Sequence, residues 1–401
     1  MSDPIPLYPV DIFSRESVRH ARAVDDALRE FSPVVRLHDG TVMIARHASV
    51  TSGLADWRTF SSTSRPWHDP KSVRPEILLT DDPPRHTHVR AAMAKVLSPA
   101  LIDRMRASFE RDAATIVRDV LAREGQMIDA VADISQRFVY KALPDAFGMR
   151  VEGRENMYGF SHMVWATLGP ENELFREAMV NIEPVLAWIG QCCNRENLAP
   201  EGIGMAIYQL ADEGLITQDE AKLLAQTVLA AGADTTVLTI ANTLRAFALF
   251  PDEYQKLRAD PQLVRNAFDE SLRWDSPSRM AGRISTRDVD IEGFKVPAGQ
   301  RVGLMFAAAN RDPRAWPDPD RYQISRDLRK QVGWGYGVHA CVGRAFAQLE
   351  AHSLLTEVAR QIDRLEMAGE PEPWMTTIGH GPARLPIRIY GARHDRVAKS
   401  A

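Results

Sequence analysis

The sequence predicts a mainly α fold with small β-sheets, and three observations carry that prediction. Helical periodicity runs almost without interruption from residue 87 to residue 250. Short strand-like segments lie only near the two ends. No repeat, low-complexity tract or Gly/Ser linker divides the chain, so residues 1–401 read as a single domain.

Composition allows this and excludes other classes. With 45% hydrophobic and 25% charged residues the chain can bury a substantial core, which argues against disorder. A net charge of -4 gives no global reason to bind nucleic acid or an anionic membrane. The start, Met1-Ser2-Asp3-Pro4-Ile5-Pro6, lacks the basic and apolar runs of a signal peptide, so a cytoplasmic location is expected. Three cysteines cannot build a disulfide framework. Adjacent Cys192 and Cys193 read as structural thiols, which leaves Cys341 for another purpose.

In chain order, residues 17–31 have helical spacing, and segments 34–37 and 42–45 flank Asp39-Gly40 like a hairpin. A proline-rich segment covers 66–84. Helices are then expected over 87–96, 99–124, 134–147, 154–168, 172–193, 203–213 and 217–250. The last contains an apolar stretch long enough to cross a bilayer, but Gln226, Asp234, Asn242 and Arg245 would be costly in lipid, so it reads as a helix buried in protein. From residue 284 the texture changes: 289–299 reads as two short strands around a turn, 301–307 and 385–390 as further strands.

The chemistry-bearing segment is 333–350, Gly-Trp-Gly-Tyr-Gly-Val-His-Ala-Cys-Val-Gly-Arg-Ala-Phe-Ala-Gln-Leu-Glu. Gly335 and Gly337 permit a tight turn in which backbone approaches a flat ligand closely. Amide N–H groups of that turn and of the following helix can point at the Cys341 sulfur and favour thiolate over thiol. Ferric haem takes such a thiolate as axial ligand when O–O cleavage is required.

This segment resembles the haem-binding loop of the cytochrome P450 family, Phe-Gly-x-Gly-x-His-x-Cys-x-Gly, and departs from it only at Trp334. Further stations match in order: Ala231-Gly232-Ala233-Asp234-Thr235-Thr236 in the long helix, Glu270-Ser271-Leu272-Arg273, Ala309-Asn310-Arg311-Asp312-Pro313 and Asp318-Pro319-Asp320-Arg321-Tyr322. The resemblance implies a cytochrome P450 fold holding haem b between the long central helix and the cysteine loop. Cys341 would be the iron ligand, with Trp334 and Gly335 in the cofactor-binding loop. Two haem propionates require internal cations or donors, and His86, Arg90, Arg283 and His339 fall where the family puts them; His88 reads as surface. Glu270 and Arg273, joined by Arg321, would form a buried structural network. Asp234 and Thr235 would be the catalytic pair, Thr235 holding the oxygen-activating site's hydrogen bond and Asp234, turned roughly 100° away, relaying protons from solvent. The indole N–H of Trp334 either donates towards the sulfur or packs as the usual aromatic would; packing is the expectation.

The implied activity is a monooxygenase. Asp82-Pro83-Pro84, Lys95-Val96-Leu97-Ser98-Pro99, Gly169-Pro170-Glu171-Asn172-Glu173-Leu174 and Asn197-Leu198-Ala199-Pro200 look similar to a bacterial branch oxidising para-substituted benzoates, often by removing a methyl group from a methoxy substituent. That implies a small aromatic substrate, hydroxylated or O-demethylated in aromatic catabolism. Gln226, Thr227, Ala230 and Glu76 align with that branch's carboxylate-gripping positions. An ionised Glu76 would repel a benzoate, which favours a neutral phenolic ether or an aryl amine; a terpenoid-like substrate is an alternative. Met163, Trp165, Arg279, Met280 and Ile378 are further substrate-binding candidates. No flavin or iron–sulfur motif is fused to the chain, so electrons from NAD(P)H are expected through a separate ferredoxin and ferredoxin reductase, docked near Lys95, Arg329, Lys330 and Arg344. A monomer is expected. A peroxide-using relative would not need the intact Asp-Thr pair, nor would a non-enzymatic haem sensor.

Overall fold

The computed structural model describes residues 4–63, 66–68 and 77–392. Near the start, α1 (Ala21–Phe31) precedes the hairpin of β1 (Val34–Arg36) and β2 (Val42–Ile44), then α2 (His47–Ala55) and β3 (Phe60–Ser61). The hairpin turns at Gly40, as Asp39-Gly40 predicts, with Val34 opposite Ile44. Helices follow: α3 (Arg85–Val96) and α4 (Arg106–Leu121), then β4 (Met127–Asp129) and a π-turn (Ala130–Gln136) running straight into α5 (Arg137–Phe147). Next come α6 (Met157–Ala166), α7 (Glu183–Cys192), α8 (Ile203–Asp212), α9 (Gln218–Leu249) and α10 (Val264–Trp274). The chain ends with β5 (Ala281–Ser285), β6 (Arg301–Leu304), α11 (Arg344–Gln361), β7 (Ile362–Met367) and β8 (Pro386–Gly391).

The 32-residue α9 organises the rest. A capping box starts it: the Thr217 hydroxyl accepts from the Glu220 amide and the Glu220 carboxylate accepts from the Thr217 amide. At about 1.5 Å per residue it spans on the order of 48 Å. It packs against α5, α6, α8, α10, α11, the π-turn and β7, which explains why a helix apolar enough for a bilayer is buried in protein instead. Beside this helical mass lies a five-stranded sheet in the order β1-β2-β6-β5-β3, parallel only between β2 and β6, and a three-stranded sheet β4-β8-β7.

Several expected helices are divided. Segment 99–124 breaks into Pro99–Asp103 and α4, and 172–193 breaks into Glu173–Ala178 and α7, with Asn181 at φ 56 between them. Pro184 at the start of α7 fits there because the first helical turn needs no amide donor. The strand expected over 301–307 stops at Leu304 and becomes a helical turn, Phe306–Ala309. The strand β7 was not anticipated.

Candidate active site

The loop carrying Cys341 is shaped by its glycines. Gly335 and Gly337 have φ of 71° and 67°, and a Cβ on Gly337 would sit 2.7 Å from the Leu54 carbonyl of α2. The Cys341 amide donates to the Trp334 carbonyl at 2.7 Å, closing the turn, and α11 begins three residues after the cysteine. Cys341 lies deep in the protein, where desolvation raises its thiol pKa. Its surface is nevertheless accessible, so the thiol faces an internal cleft. Amide N–H groups of Gly343 and Arg344, with the guanidinium groups of Arg90 and Arg344, oppose the desolvation by favouring thiolate.

A second wall of open surface belongs to α9. Thr227 and Thr235 are partly accessible and Ala231 is exposed, although the helix is surrounded by protein. These residues recur at four-residue spacing and form one stripe. Gln226, Ala230 and Ala233 lie on a packed stripe instead. Gln226 donates to the Ile189 carbonyl of α7 at 3.4 Å, so its amide is directed away from the open stripe. Of the three predicted substrate-facing positions on this helix, Thr227 is on the open side; Gln226 and Ala230 are corrected to packing positions. The Thr235 hydroxyl donates to the Ala231 carbonyl at 2.8 Å and the helix continues unbroken, so the hydroxyl satisfies itself locally.

Asp234 is turned off that stripe, as expected from its place one residue earlier. It is 4% exposed and accepts a 2.5 Å hydrogen bond from the Tyr140 hydroxyl of α5. Its Oδ2 is buried without a hydrogen-bond partner. Desolvation raises its carboxyl pKa to about 6, against the opposing effects of Tyr140 and Ser161.

Four cations and donors gather at the cleft. His86 is 1% exposed with both ring nitrogens unpartnered, and its ring lies 4.4 Å from that of His339. His339 has an unpartnered Nε2, 3.8 Å from Asp82. The Arg283 side chain donates to the Gly282 carbonyl at 2.7 Å. Desolvation lowers Arg283 to about 10 and His339 to about 3, the latter also through Arg283, His86 and Arg90. Asp82 is itself held by Ser61 and the Ser62 amide. Buried donors of this kind call for an anion. A flat group bearing two carboxylates and taking a thiolate ligand fits them together with Cys341.

Behind the loop, Glu270 and Arg273 form a fully buried pair at 2.8 and 2.9 Å. The third member is corrected. Arg321 is exposed and contributes its backbone carbonyl, which accepts from Arg273 at 3.1 Å. Arg326 instead reaches Glu270 at 3.1 Å and caps the carbonyls of Pro317, Asp318 and Arg321. Both positions follow the same turn, and the chain curls so that the later arginine points inward.

The remaining substrate candidates divide. Trp165, Met280 and Ile378 share an apolar cluster with Leu238, one turn beyond Thr235 on α9, and with Trp374, whose ring lies 5.9 Å from Trp165. Met163 belongs to the core around α9. Arg279 is corrected: it is 0% exposed, pairs with Asp25 at 2.6 Å and donates to the Ile12 and Thr377 carbonyls, so its guanidinium is committed to holding the fold together. Glu76 lies outside the described residues. Of the docking candidates, Lys95 pairs with Glu213, Arg329 with Asp327 and Arg344 with Asp269. His88 is exposed, as expected, and meets the Leu215 carbonyl.

Three contributors had no local signal. Tyr140 meets Asp234 across 94 positions, and Asp269 meets Trp334 across 65. Glu350 on α11 is fully buried beside Thr236, with both carboxyl oxygens unpartnered and its pKa raised well above the ordinary range by desolvation. Burial favours its neutral form over the carboxylate.

A thiol at the mouth of an internal cleft, carboxylate-seeking cations and a Thr-lined helix define a haem-thiolate enzyme, and the comparisons agree. The Cytochrome P450 family model matches residues 203–381. The chain is 40% identical over 396 residues to cytochrome P450 CYP199A2 of Rhodopseudomonas palustris, covering 96% of this chain and 95% of that one. It is 30% identical over 373 residues to cyclomarin C epoxidase CymV of Salinispora arenicola, covering 90% and 93%. The solved structure of CYP109Q5 from Chondromyces apiculatus superposes with a TM-score of 0.79 at 26% identity, covering 96% and 98%. The chain belongs to the cytochrome P450 family: it has the cytochrome P450 fold and is a haem-dependent monooxygenase.

Proposed function

We propose that this monooxygenase inserts one oxygen atom from dioxygen into a small, uncharged aromatic substrate, by hydroxylation or by O-demethylation of a methoxyarene. Bound haem supplies the oxygen-activating chemistry. Cys341 would hold the iron as thiolate, and His86, Arg90, Arg283 and His339 would take the propionates. Thr235 offers its hydroxyl on the open stripe, and Asp234 carries protons to it from the buried side. Electrons arrive from NAD(P)H through a ferredoxin and its reductase, docking on the face bearing Lys95, Arg329, Lys330 and Arg344, in the cytoplasm.

The observation that supports the uncharged aromatic is the apolar cluster of Trp165, Met280, Ile378, Leu238 and Trp374, which meets α9 at Leu238, one turn beyond Thr235. Arg279, the cation predicted to line the pocket, is committed to Asp25. An apolar wall with aromatic edges favours a flat ring, and a carboxylate there would lose its hydration without a partner from Arg279. Ligand-induced spin-state shifts across methoxyphenols, aryl amines, terpenoids and benzoates test this. Tight shifts with the neutral aryl ethers are expected; tight shifts confined to benzoates would overturn the charge argument. Cys341→Ala is expected to abolish the red-shifted ferrous carbonyl band, and a variant retaining it would remove Cys341 as ligand.

A further inference from the structure

Asp234 can pass protons inward only if it is resupplied from solvent, and it is 4% exposed. A small cavity of about 40 Å³ adjoins it, lined in part by Gln136, Tyr140, Tyr158 and Trp374. That is room for at least one water. Val131, Val237, Leu238, Pro382 and Ala383 complete the lining, and Tyr158 is 43% exposed. Tyr140 and Asp234 both line the cavity, and the Tyr140 hydroxyl donates to Asp234 Oδ1 at 2.5 Å. The Gln136 side chain, one turn earlier, reaches the same hydroxyl. Gln136 is the last residue of the π-turn, Tyr140 the fourth of α5. A π-turn is rare and costs helical regularity, and such turns recur at functional positions because they re-aim side chains.

We infer that the Tyr140 hydroxyl is the gate through which solvent protons enter Asp234, with the cavity between Gln136 and Tyr158 as the water-bearing mouth. The transfer balances without a net charge on tyrosine. As Asp234 takes the Tyr140 proton, the phenolic oxygen takes one from cavity water, which takes one in turn from bulk solvent, so the hydroxyl and the water are both restored. Burial and the facing Asp234 raise the Tyr140 pKa, which disfavours a free phenolate and favours concerted transfer. The titratable groups facing Asp234 are Tyr140 from α5 and Tyr158 from α6. Ser161 of α6, which donates to the Ala230 carbonyl, is the neutral polar group close by. Among the described residues the Asp234 carboxyl is bonded by the Tyr140 hydroxyl and not by a cation.

The inference rests on Asp234 as the proton relay, and the experiment separates the two. Tyr140→Phe, Asp234→Asn and the double variant are prepared as haem-loaded proteins that retain the red-shifted ferrous carbonyl band. Product formation should slow on the order of tenfold or more in each single variant, with a larger solvent deuterium isotope effect, and the double variant should be no slower than Asp234→Asn. Infrared difference titration of the resting ferric protein gives a readout independent of turnover: a carboxyl band absent from Asp234→Asn should titrate at higher pH in Tyr140→Phe, because the lost hydrogen bond had favoured the carboxylate. If Asp234→Asn is slow while Tyr140→Phe keeps the wild-type rate, isotope effect and band, the gate is wrong and the relay stands. If Asp234→Asn is itself unchanged, the relay fails. Should Tyr140→Phe not fold, Gln136→Leu replaces it; a wild-type isotope effect in that variant would overturn the gate.

Discussion

The Trp334 indole donates to Asp269 Oδ1 at 3.0 Å, and the same carboxylate takes Arg344 at 2.9 Å and Gln348 at 3.1 Å. The one departure from the family's loop pattern is therefore a tie to α10. The indole donor faces a carboxylate, so it neither donates to the sulfur nor merely packs, and it leaves the sulfur to the amides of Gly343 and Arg344. Trp334→Phe should accordingly leave the haem reduction potential unchanged, measured by spectroelectrochemical titration. A clear fall would show that the indole acts on the thiolate. Asp269→Ala, which strands three donors at once, should cost about 1–3 kcal/mol of stability in denaturant titration.

The buried network gives a sharper contrast. Arg326→Ala removes one of two cations from the fully buried Glu270 and should destabilise by about 3–5 kcal/mol. Arg321→Ala should stay within about 0.5 kcal/mol of wild type, because the exposed side chain leaves its carbonyl in place to accept from Arg273. Equal losses would restore Arg321 to the network. Haem content measured alongside should fall only in Arg326→Ala.

What was legible in the sequence was local chemistry. The loop 333–350 and the Asp234-Thr235 segment announce themselves because their residues act within a few positions of one another, and helical periodicity located α9. Side chains that meet only after folding were hidden. Arg326 joins Glu270 across 56 positions, and nothing near either indicates the meeting. Arg279 follows the Glu-x-x-Arg helix closely, yet its direction is fixed by Asp25, 254 positions away. The accessible stripe Thr227, Ala231, Thr235 could have been drawn from four-residue spacing anchored on Thr235, which would have set Gln226 and Ala230 aside.

Thr235 sits on that stripe with its hydroxyl bonded to the Ala231 carbonyl, so removing it takes no tertiary contact from the fold. Thr235→Ala should retain haem content and melting temperature. Its expected defect is coupling: NAD(P)H consumption continues while hydrogen peroxide rises at the expense of product. Measured peroxide and product per NAD(P)H decide it, and unchanged coupling would remove Thr235 from oxygen activation.

Asp234 should also be visible in stability. Its folded-state carboxyl titrates at about 6, raised by desolvation from 3.8. Below the unfolded value both states carry the proton and the folded site has no charge to bury. Between pH 4 and 6 the folded state keeps a proton that the unfolded chain releases, so stability falls as pH rises, and above 6 the loss is complete. A shift of about two pH units corresponds to roughly 3 kcal/mol at most. Asp234→Asn has no such charge to bury, so it should melt higher than wild type above pH 6, with the advantage shrinking towards zero near pH 4. Melting curves of the haem-loaded proteins across that range test the sign: an advantage independent of pH would mean that Asp234 is ionised throughout, with its charge matched by partners other than Tyr140.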